Sequence, residues 1–249
     1  MMEKELEKRI EELAARCERQ SCVTSTGFLT MAEQMEVAAW AKRLADVKLH
    51  FDGGNPACER KAAFFLPFYV EEADFDPSEY IRALKVTAYF GEPTHRDYMG
   101  AALGLGIRRE WIGDFWVKGD TAHIFCLPTV ERLLTDELTK VGRISVKAAP
   151  CPLGEISAPE RKVKKLTFTV KSLRLDAVAA GMFRLSRTAA AELIRAGAAS
   201  LNYVPCLHVD EPISEGDVIS LRSHGKGAVV KIGDKSRKDR TFIETEIYL

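Results

Sequence analysis

His95-Arg96-Asp97 sets a base, a cation and an acid side by side, the residue types that general acid–base catalysis uses. Three successive residues at a helix start point in different directions, however, and Asp97 fits the role of a carboxylate at a helix N-terminus. No catalytic residue is assigned. Six cysteines (Cys17, Cys22, Cys58, Cys126, Cys151, Cys206) are scattered without a C-x-x-C pair or a histidine at ligand spacing. Neither a metal site nor a disulfide framework is expected from them. Gly100 to Gly106 lacks the spacing of a nucleotide fingerprint and reads as helix packing, so no cofactor is expected.

The segment Leu185-Ser186-Arg187-Thr188 offers a different chemistry, anion binding. Ser186 suits a helix N-cap, the free N–H groups of the first turn carry the positive end of the helix dipole, and an arginine adds charge with a bidentate fork. Arg187 and Arg195, eight residues apart, share one face, while Ala190, Leu193, Ile194 and Gly197 point elsewhere. Arg174 and Arg184 are close enough in sequence to join the patch. A capped helix with a solvated arginine is the plainer alternative.

These residues need elements to position them. The chain opens with a charged helix to about Gln20, a loop over residues 21–27, and a second helix to about Asp46 whose start carries the capping-box pair Thr30 and Glu33. A strand over Val47 to Phe51 and a helix over Ala57 to Phe65, stopped by Pro67, complete a small α/β N-terminal domain, residues 1–75. From Ile81 to Ala149 the pattern is strand, helix, strand, strand, helix, strand, with Lys118-Gly119-Asp120 turning the central hairpin. That βαββαβ order is used by ferredoxin-like and RNA-recognition-motif folds, and it assigns a middle domain to residues 76–155. Its strand from Ala122 to Leu127 has Phe125 but not the paired aromatics of an RNA-recognition motif, which argues against base stacking there. Residues 150–165, rich in Pro, Gly and charge, read as a linker. The last domain, residues 160–249, begins with a strand, continues with helices over Leu175 to Met182 and Arg187 to Ala196, and ends in four strands. The fold class is α+β.

With 46% hydrophobic residues, the 249-residue chain can bury sizeable cores, which sets disorder aside. No apolar run approaches the roughly 20 residues of a bilayer span, and the N-terminus lacks the apolar stretch of a signal peptide, so a cytoplasmic location and no membrane partner are expected. The net charge of zero hides an asymmetry: residues 161–249 carry 16 Lys and Arg against 10 Asp and Glu, and the preceding residues carry 20 against 26. A basic end fits either a polyanion-binding module or a solvated surface.

Taken together, Arg174-Leu175-Asp176, Ser186-Arg187, Ala190, Ile194, Gly197, Asn202, Gly216-Asp217, Ile219 and Arg222 resemble the S-four domain, an αL RNA-binding motif named after a small-subunit ribosomal protein. The resemblance implies RNA contacts by Arg174, Ser186, Arg187, Thr188, Arg195 and Asn202, with Arg184 beside them and Asp176 and Gly216-Asp217 structural. Tyr203 stands where that family usually has Gly, and Lys226 keeps a charge where it often has Arg; both join the expected RNA surface. Phe51-Asp52-Gly53-Gly54, Glu59-Arg60, residues 94–100, residues 105–110 and Ile112-Gly113-Asp114 are similar to the YlmH-type family, which carries its S-four domain at the C-terminus. This implies a bacterial protein bound to the large ribosomal subunit, with 23S rRNA and tRNA as partners and no DNA, and for some members a part in quality control of stalled nascent chains. His95, Arg96, Arg108 and Arg109 then become secondary RNA contacts or structural groups. The alternatives are an RNA-modifying enzyme of the pseudouridine synthase kind, since S-four domains are also appended to such enzymes, and an adaptor for cell division.

Overall fold

The computed structural model describes residues 2, 4–44, 46–160, 162–236 and 239–248. The chain divides into two compact units, Met1–Pro159 and Glu160–Leu249.

The first unit opens with α1 (Lys4–Gln20), β1 (Thr24–Leu29), α2 (Met31–Ala41), β2 (Val47–Asp52) and β3 (Lys61–Pro67). The strands form an antiparallel sheet in the order β1-β3-β2. Thr30 and Glu33 close the expected capping box at the start of α2, but that helix ends at Ala41, short of the expected Asp46. Two expectations are overturned here. Residues 24–29, expected largely as loop, are an edge strand whose Thr24 and Thr26 hydroxyls are satisfied by the carbonyls of Leu13 and Gly27. Residues 61–67, expected largely as helix, are the central strand. Ile10, Leu13 and Trp40 cover one face of β3, and Phe28, Ile81 and Phe125 join the core against its other face. A strand buried on both faces is a continuous apolar run without alternation, and such a run does not distinguish strand from buried helix.

The same unit continues with β4 (Arg82–Ala88), α3 (His95–Gly104), β5 (Ile112–Lys118), β6 (Thr121–Cys126), α4 (Pro128–Glu137), β7 (Lys140–Val141) and β8 (Ile144–Cys151). The expected strand–helix alternation holds, with the short β7 added, and the sheet order is β5-β6-β4-β8-β7. Tyr98, Ala102, Val130 and Leu134 from the helices fill one face of the sheet with Leu84, Val86 and Ile124. Gly119 at φ +60° turns the hairpin that pairs Lys118 with Thr121. Gly100 to Gly106 serves helix packing as expected, with Ala102 buried and Ala101, Leu103 and Leu105 against the core, although the space beside Gly100 and Gly104 is open. Much of the expected linker is also structured: β8 runs to Cys151, Ile156 is buried in the first unit with its carbonyl bonded to Asn55, and the next strand begins at Val163; Arg161 lies outside the described residues.

The second unit comprises β9 (Val163–Val170), α5 (Leu175–Phe183), α6 (Arg187–Arg195), β10 (Ala199–Leu201), β11 (Val204–Pro205), β12 (Val218–Leu221), β13 (Gly225–Lys235) and β14 (Thr241–Tyr248). Its antiparallel sheet runs β11-β10-β12-β13-β14-β9, so the first strand of the unit pairs with the last. Val178, Ala179 and Met182 of α5 and Ala190 and Ile194 of α6 bury against Ile219, Val229 and Ile243 of the sheet. α5 lies close to β9, for a Cβ on Gly181 would sit 2.3 Å from the Phe168 ring. Among the described residues no helix is long and apolar enough to cross a membrane.

Candidate nucleic-acid interface

The second unit brings two of its arginines to one carboxylate. Asp176 lies in the first turn of α5, its side chain 7% exposed, and accepts hydrogen bonds from Arg174 Nε at 3.3 Å and from Arg187 Nε and Nη2 at 2.8 and 3.3 Å. Burial pushes the Asp176 carboxyl up, but the two guanidinium groups outweigh it and hold the carboxyl below the usual range. The hydrogen bonds and charge of Asp176 raise the Arg187 pKa in turn. Two arginines from the starts of two helices thus stand side by side, both still partly exposed.

The helix starts themselves differ. At α5 the Leu175 and Asp176 amides donate to the carbonyls of Glu211 and Val209, so they are not open to an anion. At α6 Ser186 caps as expected, accepting from the Ala189 amide at 3.1 Å, and Thr188 is exposed in the first turn. Arg184 ends α5 in the left-handed conformation at φ 56°, its side chain exposed. Arg195 is exposed in the last turn of α6, about 12 Å along the helix from Arg187. A cleft of about 270 Å³ beside α5 is lined by Phe168, Lys171, Gly181, Leu185, Arg187 and Arg240. Arg240 is held by the Thr169 hydroxyl at 2.9 Å and by the Thr169 carbonyl. Lys171 and Arg240 escaped the sequence reading because neither belongs to the helical motif. Strand pairing of β9 with β14 brings their neighbourhoods together.

Asn202 and Tyr203 form the two-residue turn between β10 and β11, both at positive φ, 49° and 68°. The Asn202 carboxamide donates to Asp217 at 2.8 Å and accepts from the Val218 amide at 2.9 Å, so both its ends are engaged inside the fold. Tyr203 packs under Lys226, whose Nζ lies 4.5 Å from its ring centroid and 5.5 Å from that of Tyr248.

The basic residues of the first unit have separate surroundings. His95 stands edge-on to Phe115, and Arg96 is exposed at the start of α3. Asp97 accepts from the Thr94 amide and hydroxyl in a capping box, and those hydrogen bonds hold its carboxyl below the usual range. Arg108 stacks on Trp111 at 4.1 Å and pairs with Glu110. Arg109 turns inward to the carbonyls of Ile112 and Gly113; burial, with Arg60 nearby, pushes its pKa down to about 10, which leaves it charged at neutral pH. Asp114 accepts from the amides of Glu59 and Arg60, and Arg60 donates to the Phe28 carbonyl. Asp114 on β5 therefore ties the second sheet to the segment entering β3, whereas the bonds of Arg109 stay within its own sheet. Burial pushes the thiols of Cys17 and Cys126 up to about 11 and about 12, unsuited to nucleophilic chemistry at neutral pH. Among the described residues no cluster of His, Cys, Asp and Glu could hold a metal ion.

A family model described as the putative RNA-binding domain in YlmH matches residues 71–155. The ribosome-associated protein quality control protein P2 of Bacillus subtilis (strain 168) is 31% identical over 223 residues, which cover 89% of this chain and 86% of that protein. Among solved structures, the cell division protein YlmH from Streptococcus pneumoniae superposes with a TM-score of 0.52 at 22% identity, covering 62% of this chain and 96% of that one. At that identity the likeness speaks for the fold alone.

Proposed function

Because the chain belongs to the YlmH family, we propose that it is an RNA-binding protein of ribosome-associated quality control, working on the large ribosomal subunit in the cytoplasm. Its partners in this reading are 23S rRNA and tRNA. The second unit is an S-four-type domain that grips structured RNA, and the middle region is an RNA-recognition-motif-like domain. The observation that carries the reading is the pair Arg174 and Arg187, drawn together on buried Asp176 at the starts of two short helices. Paired guanidinium forks on a rigid support suit adjacent phosphates of a folded RNA. The sheet order β5-β6-β4-β8, that of a ferredoxin-like fold, supports the reading of the middle region. Arg184, Thr188, Arg195, Tyr203 and Lys226 extend the surface of the second unit. No catalytic role is proposed: Asp97 is committed to its capping box, and Cys17 and Cys126 are held as thiols.

Sedimentation of the tagged protein in host lysate tests this directly, with wild type beside the Arg174→Ala/Arg187→Ala variant at low and moderate salt. Wild type travels with the large subunits and the variant stays at the top of the gradient. If wild type also stays at the top at every salt, the ribosome is not the partner and the reading falls.

A further inference from the structure

The first unit holds a cleft of about 450 Å³ among the first half of α1, the end of β1, the start of α2 and the 3₁₀ turn Arg109–Trp111. A Cβ on Gly27 would collide with the Glu110 carbonyl, so β1 and the turn touch where both line the cleft. Arg9, Arg60, Arg108 and Arg109 also line it. Two of these four are paired: Arg9 at 3.4 Å and Arg108 at 3.1 Å share the Glu110 carboxylate.

Arg60 and Arg109 are not. Among the described residues neither has a carboxylate within ion-pair distance. Glu33 and Asp114 act on Arg60 over a longer range, but both are engaged elsewhere. Glu33 accepts from the Thr30 amide and hydroxyl in the capping box, and Asp114 accepts from two backbone amides. The hydrogen bonds of the two arginines go to neutral carbonyls, Arg60 Nη2 to Phe28 at 2.6 Å and Arg109 Nη1 to Ile112 and Gly113. Arg60 Nε is buried with no acceptor among the described residues. Burial lowers the pKa of both, and that of Arg109 falls further because Arg60 stands near it. Carbonyls satisfy donors but leave the charge, and two guanidinium groups desolvated together are unfavourable until an anion joins them. A phosphate dianion matches both their charge and their planar forks. The cleft is larger than a phosphate needs and falls in the range of small-molecule sites, with Leu6 and Leu29 as an apolar side.

We propose that this cleft binds a small phosphomonoester of about mononucleotide size, its phosphate between Arg60 and Arg109 and Glu110 holding Arg9 and Arg108 as the outer charges. The site is separate from the arginine pair of the second unit and does not depend on it. It gives Glu59-Arg60 and residues 105–110, which the sequence marks and the RNA surface leaves unused, a common task. Arg108 and Arg109, expected as secondary RNA contacts, serve a small ligand instead.

All three tryptophans, Trp40, Trp111 and Trp116, lie in the first unit, so tryptophan fluorescence follows its melting in the full chain. At constant ionic strength, adenosine 5′-monophosphate should raise that melting temperature saturably, by about 3–6 °C at ten times its dissociation constant. Inorganic phosphate should do so more weakly and adenosine not at all. Arg60→Gln and Arg109→Gln should each lose the shift. Both residues also hold carbonyls, so Glu110→Gln supplies a test that leaves them in place. Freeing Arg9 and Arg108 from their carboxylate should tighten adenosine 5′-monophosphate binding about fivefold. Arg174→Ala/Arg187→Ala should keep the shift, which separates this cleft from the second unit. No shift beyond the matched salt control overturns the proposal, as does a shift lost in the Arg174→Ala/Arg187→Ala variant or an affinity unchanged in Glu110→Gln. A shift given by a short 5′-phosphorylated RNA but not by the mononucleotide also overturns it.

Discussion

In the second unit Arg174 and Arg187 are bonded to a buried carboxylate, whereas on the β5-β6-β4-β8 sheet of the first unit Lys85, Lys118 and Lys147 have none within reach among the described residues. The arginine pair is part of the fold. Its members are oriented before any ligand arrives, and the same bonds satisfy Asp176, which burial would otherwise penalise. The lysines are compact charges on flexible stems, placed by strand register and without an ion pair among the described residues. A preset fork discriminates the shape of a folded RNA, while an ammonium group imposes no fixed geometry.

Substitutions can break that contrast in order of size. The largest effect is expected for Arg174→Ala/Arg187→Ala on structured RNA, on the order of a hundredfold in affinity with a salt slope reduced by about 1.8, two phosphate contacts on a duplex. Titration at several salt concentrations reads both. Next, Asp176→Asn should lower the unfolding free energy of the second unit by about 1–3 kcal/mol, measured by urea melts at pH 7, because charge-assisted bonds to both arginines are lost. The pH dependence follows from the depressed folded pKa. The Asp176 contribution is fully present above its unfolded value of about 3.9 and fades as pH falls below that toward the folded value. Wild type and Asp176→Asn should therefore differ most near neutral pH and converge in acid; a gap that widens in acid would contradict the assignment.

A smaller effect, of opposite sign, is expected at Tyr203. Its φ of 68° strains any residue with a Cβ, so Tyr203→Gly should gain about 1 kcal/mol in the same melts. A simultaneous fall in RNA affinity would assign the ring, and Lys226 above it, to the contact surface. The smallest effect belongs to Lys147→Ala, whose stability should stay within about 0.5 kcal/mol of wild type, since its side chain holds nothing in place. A larger loss would mean that the lysine surface, like the arginine one, is built into the fold.

The sequence by itself determined the elements whose signals are local. The Thr30 capping box, the Ser186 N-cap, the Gly119 turn and the strand–helix order from residue 82 to 151 are all set by residues within a few positions of one another, and all stand in the structure. It also put Arg174 and Arg187 in one candidate patch, with Asp176 as a structural residue by resemblance. Only tertiary structure decided what depends on partners distant in sequence. β3 is a strand because helices and a second sheet cover both its faces, and β1 is a strand because β3 pairs with it. Arg187 meets Asp176 across an α5–α6 turn that begins at a left-handed Arg184. Lys85, Trp116, His123 and Lys147 share a surface through the register of four strands, and a register is a property of paired strands that none of them carries alone.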